Sequence, residues 1–179
     1  MPRLGGFTLW ELFWVLAIAG VLLGLGVPSF RGVLQDGRRT ADVNALVLAV
    51  QMARSEAAKR GRNVILCATR DRVRCDDLAH GAPSGWMVFV DMDDAEPPRR
   101  SSIETLLYTH EPEIEGTIIG NRPYFEFRPP LHRSTNGTVV FCDARGALSA
   151  RAVIVSYTGR PRVDTQSPDG RTLQCAGRP

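Results

Sequence analysis

Gly6-Phe7-Thr8-Leu9-Trp10-Glu11-Leu12 opens an almost unbroken apolar run that reaches Val27 and passes into Pro28-Ser29-Phe30. Residues 7–27 carry one charge, Glu11. At about 1.5 Å per helical residue they reach across the roughly 30 Å hydrocarbon core of a bilayer. A secretory signal peptide has a shorter apolar core with its small-residue cleavage site behind it, whereas here the small pair Gly5-Gly6 precedes the run. The stretch therefore predicts a retained membrane helix over 7–30. Glu11 either snorkels from the helix end to the headgroups or meets a specific partner, because a carboxylate inside a span costs about 3 kcal/mol.

Outward from this stretch, the helix resumes after Pro28, where a kink is expected. Val43, Leu46, Val50, Ala53 and Ala57 alternate at spacings of three and four and share one face, with Asp42, Gln51, Ser55, Glu56 and Lys59 predicted to look outward. Gly61 is the expected stop, so the helix runs from about Phe7 to Arg60. Short β-rich runs follow at 63–69, 86–91, 103–109, 117–119, 124–128, 138–143 and 151–157. Turn signals separate them at Gly81-Ala82-Pro83-Ser84-Gly85, Glu96-Pro97-Pro98, Asn136-Gly137 and Ser167-Pro168-Asp169-Gly170. One long helix followed by strands predicts an α+β layer, the helix laid on an antiparallel sheet.

The 179 residues leave room for one globular domain beyond the apolar stretch. Net charge is +3 but unevenly placed. Residues 76–115 hold ten carboxylates against Arg99 and Arg100, while 121–179 hold nine arginines against Glu126, Asp143, Asp164 and Asp169. Such asymmetry points to an anion-binding face at the C-terminal end. Cys67, Cys75, Cys142 and Cys175 allow three disulfide pairings. The short spacing of Cys67 and Cys75 around Asp71 suits a bond across a hairpin, and Cys142 with Cys175 would then tie the tail to a strand. Zinc is the rival reading, disfavoured because no Cys-x-x-Cys is present and His80, His110 and His132 lack ligand spacing. Disulfides imply an oxidising compartment such as the periplasm.

The N-terminal spelling resembles the class III signal of type IV pilins and type II secretion pseudopilins. That resemblance implies a leader at 1–6, cleavage between Gly6 and Phe7 by a prepilin peptidase, N-methylation of Phe7, and pairing of Glu11 with the N-terminal amine of a neighbouring subunit. It also implies a single-pass inner-membrane precursor with residues 31–179 in the periplasm: an amphipathic helix at 31–60 and a β-rich part at 62–179. Three further signatures resemble the GspH/FimT/FimU branch of minor pilins: Gly85-Trp86-Met87-Val88-Phe89-Val90-Asp91, the stretch from Gly137-Thr138-Val139-Val140-Phe141-Cys142-Asp143 to Gly146, and Arg151-Ala152-Val153-Ile154-Val155-Ser156-Tyr157. Gly159-Arg160-Pro161-Arg162 is similar to the Gly-Arg-x-Arg element of FimT-like pilins, which implies binding of double-stranded DNA during natural transformation. Two guanidiniums on a turn would offer planar donor forks to phosphates. Arg145, Arg151, Arg171 and Arg178 could widen the patch, and two solvated turn arginines are the plain alternative. The partners implied are other major and minor pilins. A GspH-like pseudopilin or priming subunit without DNA binding is the alternative function.

Asp91-x-Asp93-Asp94-x-Glu96 lacks the glycine and distal glutamate of an EF-hand and reads as a solvated acidic turn. Asn136-Gly137-Thr138 matches a glycosylation sequon but reads as a hairpin turn. No nucleophile elbow, phosphate loop or metal-histidine motif stands in the chain, so a structural protein without cofactor or metal is expected rather than an enzyme.

Overall fold

The computed structural model describes residues 6, 8–78, 85–130 and 132–175, and the side chains of all of these but 25–29. Phe7, His80, the turn signals at 81–84 and Arg178 lie outside the described residues, as does the side chain of Pro28. The chain divides into two compact units, Met1–Gly37 and Arg38–Pro179. Helix α1, Leu9–Arg60, spans the division. It carries Glu11 in its first turn and Lys59 and Arg60 in its last, each sign complementing the helix dipole. Gly61 ends it at φ 62°, a left-handed conformation cheap for glycine, and its amide donates to the Ala57 carbonyl.

In the first unit the helix shows its apolar residues all round, Leu9, Leu16, Val21 and Leu23 each more than half exposed. Trp10 stacks on Phe13 at 6.1 Å and meets Trp14 edge-on at 5.9 Å. Among the described residues no helix is long and apolar enough to cross a membrane.

Among the described residues the second unit holds eight strands in two antiparallel sheets, where one sheet was expected. β1 (Val64–Ala68), β2 (Trp86–Val90), β3 (Leu106–His110) and β5 (Tyr124–Phe127) form the first, in the order β3-β2-β1-β5. The second has the order β4-β6-β7-β8, from β4 (Gly116–Gly120), β6 (Gly137–Asp143), β7 (Arg151–Val155) and β8 (Pro161–Asp164). The chain changes sheet three times, from β3 to β4, from β4 to β5 and from β5 to β6, so Asn136-Gly137 is not a hairpin turn but the end of the last of these passages. Asn121 holds that passage, its Oδ1 accepting from the Thr138 amide at 2.8 Å. β3 begins at Leu106 rather than residue 103, because the buried Glu104 caps the preceding turn by accepting from the Met92 and Ser101 amides.

Strand alternation explains why β1, β2, β6 and β7 are almost wholly buried. Val64, Leu66, Val88, Val139, Phe141 and Val153 face one core with the α1 stripe Val43, Leu46, Ala49, Val50, Ala53 and Ala57. Ile65, Cys67, Met87 and Phe89 face the other way, under Cys75 and Tyr124. Cys142, Ala152 and Ile154 do likewise under Leu173 and Cys175. Cys67 is bonded to Cys75 and Cys142 to Cys175, so each bond pins the arm that covers an outer sheet face.

One residue of α1 reverses its expectation. Asp42, assigned to the outward face by its polarity, is 0% exposed. Its carboxylate accepts from the Ile114 amide at 2.8 Å and the Glu113 amide at 3.1 Å and lies 2.8 Å from His110 Nε2. Arg39, also buried, reaches Asp143 Oδ2 at 3.1 Å and the Ser149 carbonyl, while Arg38 pairs with Glu115. Polar side chains on the helix thus fix its position along both sheets, where the apolar stripe alone would allow sliding.

Candidate nucleic-acid interface and assembly residues

At the N-terminal end, Gly6 is exposed, with open space where a Cβ would stand. Thr8 and Glu11 form a capping box: the Glu11 amide donates to Thr8 Oγ1 at 3.3 Å, and Glu11 Oε2 accepts from the Thr8 amide at 3.0 Å. Reading Glu11 as a choice between headgroups and a neighbouring subunit overlooked this local partner. The Thr-x-x-Glu spacing before an apolar run was the available signal.

The Gly-Arg-Pro-Arg element does not stand wholly on a turn. The turn is Ser156 to Gly159, closed by the Gly159 amide on the Ser156 carbonyl and by the Ser156 amide on the Arg160 carbonyl. Pro161 then opens β8, an unforeseen strand in which Val155 faces Pro161 and Ile154 faces Arg162. Proline is tolerated at the first residue of such an edge strand. Arg162 shares the outer face of Ile154, and its Nη1 lies 3.3 Å from Asp164 Oδ2. Arg160 is exposed, and among the described residues no carboxylate pairs with its guanidinium. The two arginines are therefore unequal: one is partly neutralised on the sheet, the other free at the turn.

Gly159 fixes where that turn lies. Its φ is 69°, and a Cβ there would stand 3.2 Å from both Arg54 Cδ and Phe127 Cδ1. The missing side chain lets the turn settle against α1. Beside it opens a cleft of about 680 Å³, lined by Arg54 and Ala58 of α1, by Arg128, Pro129, Pro130, His132, Arg133 and Ser134 of the β5–β6 passage, and by Tyr157 and Thr158 of the turn. The Ser134 amide donates to the Tyr157 carbonyl at 3.0 Å and joins passage to turn. The Arg133 guanidinium sits over the Tyr157 ring, 5.5 Å from its centroid. Arg128 is held by Glu126 at 2.8 Å, which pushes its pKa up. Among the described residues no lining residue is acidic. Arg54, Arg128 and Arg133 were missed from sequence because nothing local links positions so far apart.

The weaker candidates are mostly committed elsewhere. Arg145 donates to Asp143 through Nη2 at 2.6 Å and Nε at 3.1 Å. This contact, then its backbone amide and the Arg39 charge, hold the Asp143 carboxyl below its ordinary range. Arg151 donates to the Ala150 carbonyl, and Arg171 pairs with Asp169 at 3.1 Å. In the acidic turn, Asp91, Asp93 and Glu104 bring carboxylate oxygens within 4.8 Å of one another. Burial, with repulsion from Asp94, Glu104 and Asp93, pushes Asp91 up to about 6.

Residues 42–159 match the family described as Type II transport protein GspH, which spans the stripe of α1 and every strand but β8. Pilin-like protein PilA1 of Thermus thermophilus is 31% identical over 169 residues, covering 89% of this chain and 97% of its own. Two crystal structures of the type IV minor pilin FimU of Pseudomonas aeruginosa superpose with TM-scores of 0.51 and 0.53 at 19% identity. They cover 78% and 83% of this chain and 98% and 99% of theirs, and they share its fold of an N-terminal helix on antiparallel sheets. A match over more than half the residues, with a pilin-like relative along nearly the full length, means that the chain belongs to the GspH family of minor pilins and pseudopilins.

Proposed function

We infer that this subunit is a FimT/FimU-like minor type IV pilin that assembles with other pilins and binds double-stranded DNA through Arg160 and Arg162. In this reading a prepilin peptidase cleaves between Gly6 and Phe7, Phe7 is N-methylated, and residues 7–30 anchor the subunit in the inner membrane before assembly. Glu11 then exchanges its Thr8 contacts for the amine of a neighbouring subunit, and residues 31–179 occupy the periplasm. The observation that carries the DNA reading is the exposed Arg160, without a carboxylate partner among the described residues, at a turn that adjoins an arginine-lined cleft. Phosphate contacts carry no base information, so binding is weak, sequence-independent and salt-sensitive. The competing reading, a GspH-like pseudopilin or priming subunit that binds no nucleic acid, is favoured by the family match ending at residue 159 and by the pairing of Arg162 with Asp164.

Gel shifts of the detergent-solubilised chain on duplex DNA separate the two. The Arg160→Ala, Arg162→Ala double variant should bind more weakly than the parent, with Arg99→Ala, Arg100→Ala in the acidic region as control. No binding by the parent at low salt, or equal binding by parent and double variant, selects the pseudopilin reading.

A further inference from the structure

We propose that the cleft beside the β7–β8 turn is a phosphate-binding site, in which Arg54 and Arg133 grip the duplex backbone next to the phosphate held by Arg160. The proposal rests on the DNA reading above and changes which residues carry it. Three observations converge on the cleft. Its guanidiniums come from two segments that only the fold brings together, Arg54 from α1 and Arg128 and Arg133 from the β5–β6 passage, and the turn adds the Thr158 hydroxyl. Among the described residues no acidic residue lines it and no carboxylate pairs with Arg54 or Arg133, so neither must surrender an ion pair to take a ligand. Arg133 is held in place by stacking over Tyr157, which lowers the entropy lost when its planar fork meets a phosphate.

The spacing fits one strand of a duplex. Thr158 and Arg160 are two residues apart, so their Cα atoms are separated by at most about 7 Å. One DNA strand covers that distance along the axis in about two nucleotides, at roughly 3.4 Å each. A strand with one phosphate on Arg160 therefore offers its next phosphates to the cleft. Arg162, on the outer sheet face and paired with Asp164, is worse placed to share that strand. The contact row runs from Arg160 toward α1 rather than along β8. Arg128, held by Glu126, contributes less than Arg54 and Arg133. Tyr157 acts as a positioning residue through Arg133.

The test uses the detergent-solubilised full chain and a fluorescein-labelled duplex, with anisotropy titrations at about 50 and 200 mM salt. For each phosphate that a variant no longer neutralises, the affinity drop over this fourfold salt increase shrinks by a factor of about 3.5. Arg54→Gln, Arg133→Gln should therefore flatten the salt dependence by up to about 12-fold, and Arg54→Lys, Arg133→Lys should largely restore it. Tyr157→Leu should weaken binding about threefold with an unchanged slope, since it removes orientation and no charge. Arg162→Gln alone should change the slope less than Arg133→Gln alone. Circular dichroism confirms that each variant is folded, and both glutamine positions are exposed.

An unchanged slope for the Arg54, Arg133 variant, beside a flattened one for Arg160→Gln, Arg162→Gln, overturns the cleft and leaves DNA binding standing. No binding by the parent at low salt overturns the DNA reading itself. Inorganic phosphate at matched ionic strength should displace the duplex from the parent more readily than from the Arg54, Arg133 variant, as a phosphate site requires. Poly-glutamate that binds the parent more tightly than the duplex does, and loses that binding in the variant, shows a site for an acidic protein segment and overturns the assignment to the duplex backbone.

Discussion

Asp42→Ala tests how the helix is held to the sheets. The substitution removes the acceptor for the Glu113 and Ile114 amides and the partner of His110 Nε2, and leaves the apolar stripe intact. Each amide left without an acceptor costs about 1 kcal/mol, and losing the charge-assisted contact to the histidine costs about 1.5 kcal/mol. The expected loss is then about 3 to 4 kcal/mol. For a unit of this size 1 kcal/mol shifts Tm by about 3 °C, so the transition should fall by about 10 °C. Asp42→Asn keeps one acceptor oxygen and should lose about half as much. Thermal unfolding of parent, both variants and the exposed control Gln51→Ala measures this, with hydrogen–deuterium exchange over residues 106–116 reporting the local effect. An Asp42→Ala transition within about 3 °C of the parent, with unchanged protection at 113 and 114, would refute the latch.

Replacing Cys142 and Cys175 by serine opens a loop with a sequence separation of 33, which chain-entropy estimates put at about 3 to 4 kcal/mol; denaturant midpoints measure it, and non-reducing peptide mapping of the parent should return Cys67 with Cys75 and Cys142 with Cys175. Because the fold raises the Asp91 carboxyl to about 6, the stability gained from its neutral form is complete below the unfolded value of about 3.9 and disappears as pH rises through 6. Allowing for solvent screening, Asp91→Asn should raise stability at pH 7 by about 1 kcal/mol and at pH 4 hardly at all, read from Tm at the two values. Mass spectrometry of assembled subunits should find a methylated Phe7 at the N-terminus, and a terminus elsewhere refutes cleavage after Gly6. Glu11→Ala should insert in the membrane yet be depleted from sheared filaments at least several-fold, and normal incorporation in an immunoblot contradicts the pairing role.

What could be read from the sequence is what depends on neighbours a few positions away. The α1 stripe from Val43 to Ala57 was legible because burial on one face imposes its own period, and Gly61 because a left-handed stop favours glycine. Most strands were legible from β-branched and aromatic runs. The second sheet was not, because pairing is decided by partners such as Ile118 and Phe141, far apart in the chain. Asp42 was placed outside by polarity and lies inside because its hydrogen-bond donors come from residues 110–114. β8 was hidden by its own turn: Gly159 and Pro161 both signal irregular chain, yet the first closes a tight turn and the second sits harmlessly at the start of an edge strand.

The same distinction separates family from function. The matched residues, 42–159, build the shared core and stop where Gly159 packs on Arg54 and Phe127. Arg160 follows at once and is exposed to solvent, with no carboxylate partner among the described residues, and Arg54 and Arg133, though inside the match, are exposed side chains whose charged ends lie outside the core. A pseudopilin and a DNA-binding pilin can therefore share every buried contact described here and differ only in a few guanidiniums at one cleft. Those side chains cost the fold little to keep or lose, since exposed substitutions away from special contacts stay within about 0.5 kcal/mol. Neutralising them should leave the unfolding transition in place while changing the salt dependence of DNA binding, a separation that no substitution in the core could produce.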